Sequence, residues 1–254
     1  VPKGGRDGNA RTDPHVGFRE MHSLHLYPFK RVIKEAKPLG VMSSYNDYDG
    51  VPVSASSYFL QDLLRKEYGF EGYVVSDSEA LEFIYNKHHV AANYKDAIKQ
   101  ALEAGLNVRT NFDPPSTYLT PLMELIEEGG LDIKILDQRV REVLTVKFKL
   151  GLFDHPLRED IAIADKKVHT PADEEVSLQM NKESIVLLKN EQNLLPIDVN
   201  KYKRILVTGP MAEATNYTTS RYGPSNNPIT TIKDGIINYG KTKALRVDYA
   251  KGVD

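Results

Sequence analysis

Asp77 is the residue of this chain whose type and position best suit chemistry. It follows the apolar run Tyr73-Val74-Val75 in the sequence GFEGYVVSDSEAL, with no glycine or proline between the run and the carboxylate. Such a run is typical of a buried strand. A carboxylate at the carboxyl end of a strand in a parallel sheet faces the usual ligand position. The alternative interpretation is that Asp77 caps the next helix, since Asp is a preferred N-cap residue.

Histidines are the other candidates for chemistry. His22 and His25 are three residues apart on a predicted helix, a spacing that suits zinc. They lack a third ligand, so the sequence favours a half-buried helix face and no metal site. The pair His88-His89 is interpreted as part of a surface loop.

The elements that position Asp77 form a repeating pattern of strands and helices. Apolar runs predict strands over residues 39–46, 72–77 and 106–111, and helical spacing predicts helices over 18–36, 54–68 and 94–105. Ser54 is a candidate N-cap of its helix, Gly69 its C′ residue, and Gly105 ends the third helix.

The strand centres Val41, Val74 and Asn107 are 33 residues apart. Strands joined by crossover helices at this interval are typical of a parallel α/β sheet. Each predicted strand also ends in polar residues, at Tyr45-Asn46, Ser76-Asp77 and Arg109–Asn111. We therefore expect these polar groups to converge at one rim, where Asp77 points at a ligand.

The second half of the chain has a different pattern. A helix is predicted over residues 132–149, ended by Gly151, and proline-bearing residues 152–170 are interpreted as a linker. Thr170 and Pro171 begin a new helix as N-cap and first helical residue. SIVLLKN (184–190) and RILVTGP (204–210) are predicted strands of a second α/β unit.

Composition bounds the class of protein. The chain has 254 residues, of which 41% are hydrophobic, which suits one or two domains. A net charge of -2 gives no basic surface for nucleic acid or an anionic membrane. The absence of cysteine excludes disulfides and thiolate chemistry within the chain. Because the chain begins without Met and ends inside a strand-like segment, we expect it to be an internal piece of a longer polypeptide.

Three stretches together resemble glycoside hydrolase family 3. They are VMSSYNDYDGVPVSAS (41–56), LLRKEYGFEGYVVSD (63–77), and ESIVLLKNEQNLLPI (183–197) followed by RILVTGP. The resemblance implies an α/β fold: the C-terminal half of a (β/α)8 TIM-like barrel over residues 1–151, a linker and connecting helix over 152–178, and the beginning of an α/β-sandwich domain over 179–254.

The resemblance also implies roles for individual residues. Asp77 matches the catalytic nucleophile, and Met42 and Tyr45 match residues that line the sugar subsite. Ser78 stands where the family often has Trp, so it would face the substrate without that aromatic ring. Arg109 departs from the family, many members of which have a different residue there; from its own chemistry, we expect Arg109 either to bind a sugar hydroxyl or to hold Asp77 by charge. The family's Lys-His pair is expected before the first residue of the chain, and its acid/base Glu after the last.

The implied activity is that of a retaining exo-β-glycosidase acting on terminal non-reducing β-D-glucosyl or β-D-xylosyl residues. Such an enzyme uses two carboxyl groups about 5–5.5 Å apart, one as nucleophile and one as acid/base. It needs no cofactor and no metal. The expected partners are an oligosaccharide or β-glycoside and the remainder of the polypeptide, with no nucleic acid and no membrane. Family habit suggests a periplasmic or secreted location.

Two alternatives stay open. The sequence TDPH contains Asp13 and His15, which resemble the Asp-x-His acid/base pair of the family's N-acetylglucosaminidases, although the residues before it do not match that motif. The chain could also be a catalytically inert fragment or a glycan-binding homologue.

Overall fold

The chain divides into two compact units, Val1–Ile163 and Ala164–Asp254. The computed structural model describes residues 11–156, 161–215 and 229–252. The division falls within the segment that the sequence predicts as a linker. The domain bounds at residues 151 and 178 stay predictions.

Three strands of the first unit form a parallel sheet. They are β1 (Gly40–Met42), β4 (Tyr73–Ser78) and β5 (Val108–Thr110), in the order β1–β4–β5. Two short antiparallel strands, β2 (Asp47–Tyr48) and β3 (Val51–Pro52), follow β1. The α/β class and the parallel sheet predicted from the sequence are confirmed.

The register of the sheet follows the sequence interval. Val41 of β1 lies opposite Val74 of β4, and Val75 lies opposite Val108 of β5. The backbone N–H of Asn107 donates to the Val74 carbonyl at 2.9 Å. Each crossover therefore spans the same number of residues, which brings the polar ends of the strands to one rim.

Helices surround the sheet. In the first unit they are α1 (Phe18–Glu20), a π-helix (Met21–His25), α2 (Tyr27–Ala36), a second π-helix (Tyr58–Glu67), α3 (Ala80–Asn86), α4 (Tyr94–Ala104), α5 (Ser116–Glu127) and α6 (Ile133–Lys149). Local signals explain several bounds. The Asn93 side chain accepts from the backbone N–H of Asp96 at the start of α4, and Gly105 ends that helix at φ 115°. α3 and α5 were not predicted from the sequence.

The core lies between β4 and the helices that cover it. Val74, Ile84, Ala97 and Ile98 are completely buried, and Leu81 is nearly so. α3 packs against α4 and β4. Burying one such aliphatic side chain stabilises the fold by about 1.5–3 kcal/mol, so this cluster fixes the helix that follows Asp77.

The predicted capping role of Ser54 is wrong. Ser54 lies in a 3-10 turn, Val53–Ala55, and the helix begins only at Tyr58. The Ser54 hydroxyl is buried and forms a hydrogen bond with the Ser43 hydroxyl at 2.9 Å. A buried hydroxyl needs such a partner, and Ser54 meets that need across the loop rather than at the helix end. Gly69 follows the helix at φ 76°, as a C′ glycine does.

The described residues of the second unit include two parallel strands, β6 (Arg204–Thr208) and β7 (Arg246–Ala250). Its helices and turns are α7 (Ile161–Lys167, which begins in the first unit), α8 (Pro171–Ser184), a 3-10 turn (Glu191–Asn193), a second 3-10 turn (Pro210–Ala212) and α9 (Ile232–Thr242). Thr170 and Asp173 form a reciprocal capping box at the start of α8, so the predicted cap is confirmed. α7 lies in the predicted linker.

The strand predicted at 184–190 is wrong in this structure. α8 extends to Ser184, and residues 185–190 form neither helix nor strand. Ile185, Val186, Leu187 and Leu188 are exposed. A strand needs a neighbour for its backbone hydrogen bonds, and no strand of the described residues pairs with this segment. The strand predicted at RILVTGP is present as β6.

Candidate active site

Asp77 lies one residue before the end of β4, the middle strand of the parallel sheet. Its half-buried carboxylate accepts from the backbone N–H of Ser78 at 2.7 Å. The alternative interpretation of Asp77 as a helix cap is wrong. α3 begins at Ala80, its N-cap position is Glu79 at φ 64°, and no side chain caps it.

The backbone of β4 is irregular at Asp77. Val75 pairs with Val108 and Ser78 with Thr110, so β4 has one residue more than β5 over this stretch. The buried Ser76 hydroxyl accepts from the Thr110 backbone N–H at 3.0 Å, in place of a regular ladder bond. An extra residue of this kind re-aims a side chain. Ser76 was not predicted as a site residue, although a lone polar residue inside an apolar strand was a signal.

Tyr45 joins the ends of β1 and β4. Its hydroxyl donates to the Ser78 carbonyl at 2.6 Å, and its ring centroid lies 5.3 Å from that of Phe83 on α3. The Arg11 guanidinium carbon is 4.3 Å from the centre of the Tyr45 ring. The Tyr45 hydroxyl is thus directed at the backbone just after Asp77.

Met42 and Ser78 flank Asp77. Met42 lies opposite Val75, two residues before Asp77, and its side chain is 62% exposed. Ser78 contacts its neighbours through its backbone, as donor to Asp77 and as acceptor from Tyr45. Their roles in substrate binding stay predictions.

Arg109 is placed differently from the expectation that it holds Asp77. Its guanidinium donates to Glu82 of α3 at 2.6 Å and lies 3.5 Å from the Asp113 carboxylate. Asn111 donates to the same Glu82 oxygen at 2.8 Å. Glu82 was not singled out in the sequence, because no local pattern distinguishes it from other helix carboxylates. Within the described residues, no cation lies within 4 Å of the Asp77 carboxylate, so the ion pair at this rim is Arg109–Glu82.

Two tyrosines pack beside that ion pair. The Arg109 guanidinium carbon lies 5.7 Å from the ring centre of Tyr94 and 5.9 Å from that of Tyr118. Burial raises the pKa of both phenols, that of Tyr118 to about 12. Both therefore stay neutral at physiological pH.

The prediction of a surface position for His88 and His89 holds for only one of the two. The ring of His88 is only 6% exposed and contacts Asp47 and Tyr45, so its prediction as a surface residue is wrong, whereas His89 is exposed. His22 contacts the Tyr58 hydroxyl at 2.7 Å, and His25 contacts Glu20 at 3.4 Å. Both therefore have partners other than a metal.

The Asp13–His15 pair does not resemble an acid/base pair in geometry. The His15 side chain is 91% exposed and its Nδ1 lies 3.9 Å from Asp13 Oδ1. The Asp13 carboxylate accepts from two backbone N–H groups, those of His15 at 2.7 Å and Asp49 at 2.8 Å. Asp13 thereby holds the turn between β2 and β3.

Within the described ranges, 11–156, 161–215 and 229–252, no group of three or more His, Asp or Glu side chains is arranged to hold a metal ion. None of the helices in those ranges combines the length and the apolar character needed to cross a bilayer.

Comparison with known proteins identifies both units. Residues 4–146 match the glycosyl hydrolase family 3 N terminal domain, and residues 185–254 match the family's C-terminal domain. The chain is 33% identical over 251 residues to a beta-xylosidase of Formosa agariphila, covering 93% of this chain and 34% of that protein. It is 31% identical over 262 residues to a periplasmic beta-glucosidase of Salmonella typhimurium, covering 99% of this chain and 32% of the relative.

A solved structure gives the same result. A β-glucosidase from Erythrobacter marinus matches with a TM-score of 0.74 and 34% identity, over 98% of this chain and 32% of that one. The chain thus spans about a third of the length of the relatives it matches. On the matches to both family domains, the chain belongs to glycoside hydrolase family 3.

Proposed function

We propose that the complete protein is a retaining exo-β-glycosidase with Asp77 as its nucleophile. Its substrates are terminal non-reducing β-D-glucosyl or β-D-xylosyl residues of oligosaccharides or β-glycosides. The observation that carries the proposal is the position of Asp77, at a bulge near the carboxyl end of the middle strand of a parallel sheet. The similarity to β-xylosidases and β-glucosidases supports it.

The proposed reaction has two displacements. In the first, the Asp77 carboxylate attacks the anomeric carbon and forms a glycosyl ester, while the bond to the leaving oxygen breaks and a second carboxyl group protonates that oxygen. In the second, the same group takes a proton from water, the water oxygen attacks the anomeric carbon, and the ester bond to Asp77 breaks. The sugar leaves with the configuration it had in the substrate.

The other rim residues have proposed substrate roles. Met42, Tyr45, Ser78 and Arg109 line the sugar subsite, where Arg109 offers N–H groups and Tyr45 offers its hydroxyl oxygen as an acceptor, since its hydrogen is donated to Ser78. Because Arg109 is paired with Glu82, its contact with a sugar hydroxyl would use the N–H groups that this ion pair leaves available. A catalytic contribution predicts that Arg109→Ala lowers the turnover of the complete protein; unchanged turnover would remove Arg109 from the site. Because one relative is named a periplasmic beta-glucosidase, we infer a periplasmic or secreted location.

Mechanism-based labelling tests the proposal. The complete protein is incubated with 2-deoxy-2-fluoro-β-glucosyl fluoride and, separately, with the xylosyl analogue, and its intact mass is measured. Fluorine at C2 destabilises the oxocarbenium-like transition states, so the glycosyl ester forms but hydrolyses slowly. We expect one added sugar, located by peptide mapping on Asp77, and none in Asp77→Asn.

The labelling also separates the alternatives. An adduct on another carboxylate would show that the nucleophile is wrong, and an unlabelled protein that also lacks hydrolytic activity would favour an inert or glycan-binding homologue. The ratio of the labelling rates for the two reagents indicates whether the subsite accepts the hydroxymethyl group of glucose.

A further inference from the structure

His88 makes two contacts that connect it with the candidate site. Its Nε2 lies 2.9 Å from the backbone carbonyl oxygen of Tyr45, and its Nδ1 lies 3.5 Å from Oδ1 of Asp47. A carbonyl oxygen only accepts, so Nε2 carries the hydrogen and donates it. The ring is 6% exposed, so water offers little replacement for these contacts.

Tyr45 transmits the contact to the strand that carries Asp77. Its backbone is held by His88, and its hydroxyl donates to the Ser78 carbonyl at 2.6 Å. Ser78 directly follows Asp77, and its N–H donates to the Asp77 carboxylate at 2.7 Å. Three hydrogen bonds thus connect the His88 ring with the Asp77 carboxylate, by way of Tyr45 and the Ser78 backbone.

α3 also contacts both His88 and Tyr45. The helix begins at Ala80, just after Asp77, and ends at Asn86. The backbone N–H of His88 donates to the Phe83 carbonyl at 2.8 Å, and the Phe83 ring packs against Tyr45. The end of α3 is therefore connected to the residues beside Asp77 through His88 and Tyr45. Such a closed arrangement restricts the bulge at Asp77 more than the strand ladder alone.

We propose that His88 is a positioning residue that holds Tyr45, and through Tyr45 the Asp77 segment, in its reactive geometry. The inference rests on the proposed function of Asp77. His88 contacts neither the carboxylate nor, at its buried place behind Tyr45, the substrate. Its effect is on the rate of ester formation, because a displacement of about 1 Å at a reacting group can cost about 10²-fold in rate.

The neighbouring histidine is a matched control. His89 is exposed, and its Nδ1 lies 3.0 Å from the carbonyl of Tyr85 in the helix that precedes it. It belongs to the same turn and has the same side chain, but it does not contact Tyr45. A general effect of altering this turn would appear in variants of both histidines, whereas positioning of Tyr45 requires His88 alone.

The experiment measures ester formation in single turnovers of the complete protein with a dinitrophenyl β-glycoside. We expect His88→Leu to lower the rate constant for ester formation by about 10–100-fold, with a smaller change in substrate affinity. His88→Gln, which keeps a side-chain N–H donor, is expected to recover most of the loss. His89→Leu is expected to stay within about twofold of the wild type.

Coupling to Tyr45 separates positioning from loss of stability. Tyr45→Phe removes only the hydroxyl that contacts Ser78, and we expect it to slow ester formation as well. If His88 acts through Tyr45, the double variant His88→Leu/Tyr45→Phe is expected to be no more than about threefold slower than Tyr45→Phe alone, because coupled residues are not additive. Thermal unfolding verifies that each variant is folded, and His88→Asn replaces His88→Leu if the latter is not.

The contrary outcomes are distinct. A wild-type rate in the His88 variant, or losses that multiply in the double variant, would overturn the role of His88 while labelling of Asp77 persists. A wild-type protein that forms no ester, or forms it on another residue, would overturn the proposed function and this inference together.

Discussion

At the scale of the residue, no charged side chain among the described residues forms an ion pair with the Asp77 carboxylate. Arg109, the counter-charge that the sequence suggested for Asp77, is engaged with Glu82 and Asp113. Asp77 instead accepts a backbone hydrogen bond from Ser78. The ionised carboxylate is the form that attacks in a double displacement. An ion pair with Asp77 would have shielded the same oxygen atoms from a substrate.

Replacing Asp77 predicts loss and chemical rescue. We expect Asp77→Gly to lower the turnover of the complete protein by about 10⁴-fold or more, because an interaction with the reacting atom itself is lost. Added azide should restore part of the activity by entering the vacated space, and its product should be the α-glycosyl azide, since only one displacement occurs. The configuration is read by NMR.

A β-glycosyl azide product would contradict the role of Asp77. So would an Asp77→Gly variant that azide does not rescue and that the 2-deoxy-2-fluoro glycoside still labels normally. Asp49→Gly is the matched control. Asp49 is exposed in the turn between β2 and β3, with φ 51°, and glycine accepts that backbone conformation. We therefore expect near wild-type turnover from this variant.

At the scale of the element, the close approach of β1 and β4 depends on Gly72. A Cβ atom at this position would lie 2.2 Å from the Leu39 carbonyl oxygen and 2.7 Å from the Phe70 ring. The same carbonyl accepts from the Tyr73 backbone N–H at 3.1 Å, so it cannot move away without losing the first bond between these strands.

Gly72→Ala is therefore expected to destabilise the protein by about 3 kcal/mol, at the upper end of the usual cost of overpacking. Denaturant unfolding of the complete protein measures the change. Gly17→Ala is the control, because a Cβ there meets nothing within 4 Å and the backbone is ordinary at φ -65°. Its effect should stay within about 1 kcal/mol; equal losses in the two variants would refute the steric explanation.

α6 is joined to the sheet by a buried charge network centred on Glu142. Its carboxylate lies 2.9 Å from the Arg65 guanidinium and 3.3 Å from that of Arg139, and it accepts from the Asn107 side chain at 2.6 Å. Asn107 in turn accepts from the Val74 backbone N–H at 2.7 Å. Burial lowers the pKa of both arginines, which is the cost that the carboxylate offsets.

Glu142→Gln removes that compensation while it preserves shape. We expect a loss of about 3 kcal/mol in the free energy of unfolding, since breaking a buried ion pair leaves an uncompensated charge. Glu127→Gln, at an exposed position on α5, is the matched control and should change stability by less than about 0.5 kcal/mol. If Glu142→Gln left the free energy of unfolding unchanged, water would have to reach Arg65 and Arg139.

At the scale of the whole molecule, the described chain leaves apolar side chains and sheet edges uncovered. Phe18, Leu24 and Met42 are each more than 60% exposed in the first unit. Among the described strands, β1 and β5 each have a parallel neighbour on one side only. Open edges and large apolar surfaces favour association.

We accordingly expect the isolated 254-residue chain to be inactive and to associate or precipitate, whereas the complete protein stays dispersed and active. Size-exclusion chromatography with light scattering and an assay on an aryl β-glycoside measure both properties. A monomeric, active 254-residue chain would contradict the expectation.

The sequence by itself determined the features that depend on neighbouring residues. The apolar runs and their 33-residue interval predicted the parallel register that pairs Val41 with Val74. The Thr170-Pro171 cap and the terminating Gly105 were also predicted. The caps are interactions within about one helical turn, and each apolar run lies within one strand, so a single stretch of sequence contains the participants of each. The three motifs that carry the family resemblance are likewise contiguous stretches of sequence.

Only the tertiary structure decided which distant side chains meet. It paired Arg109 with Glu82, buried His88 behind Tyr45, placed Ser54 against Ser43 and put an extra residue into β4 at Asp77. Each of these outcomes depends on how helices pack against strands, and a side chain selects its partner from every group that packing brings within reach. The same physics explains the failed strand at 184–190, since a strand exists only where another strand completes its hydrogen bonds.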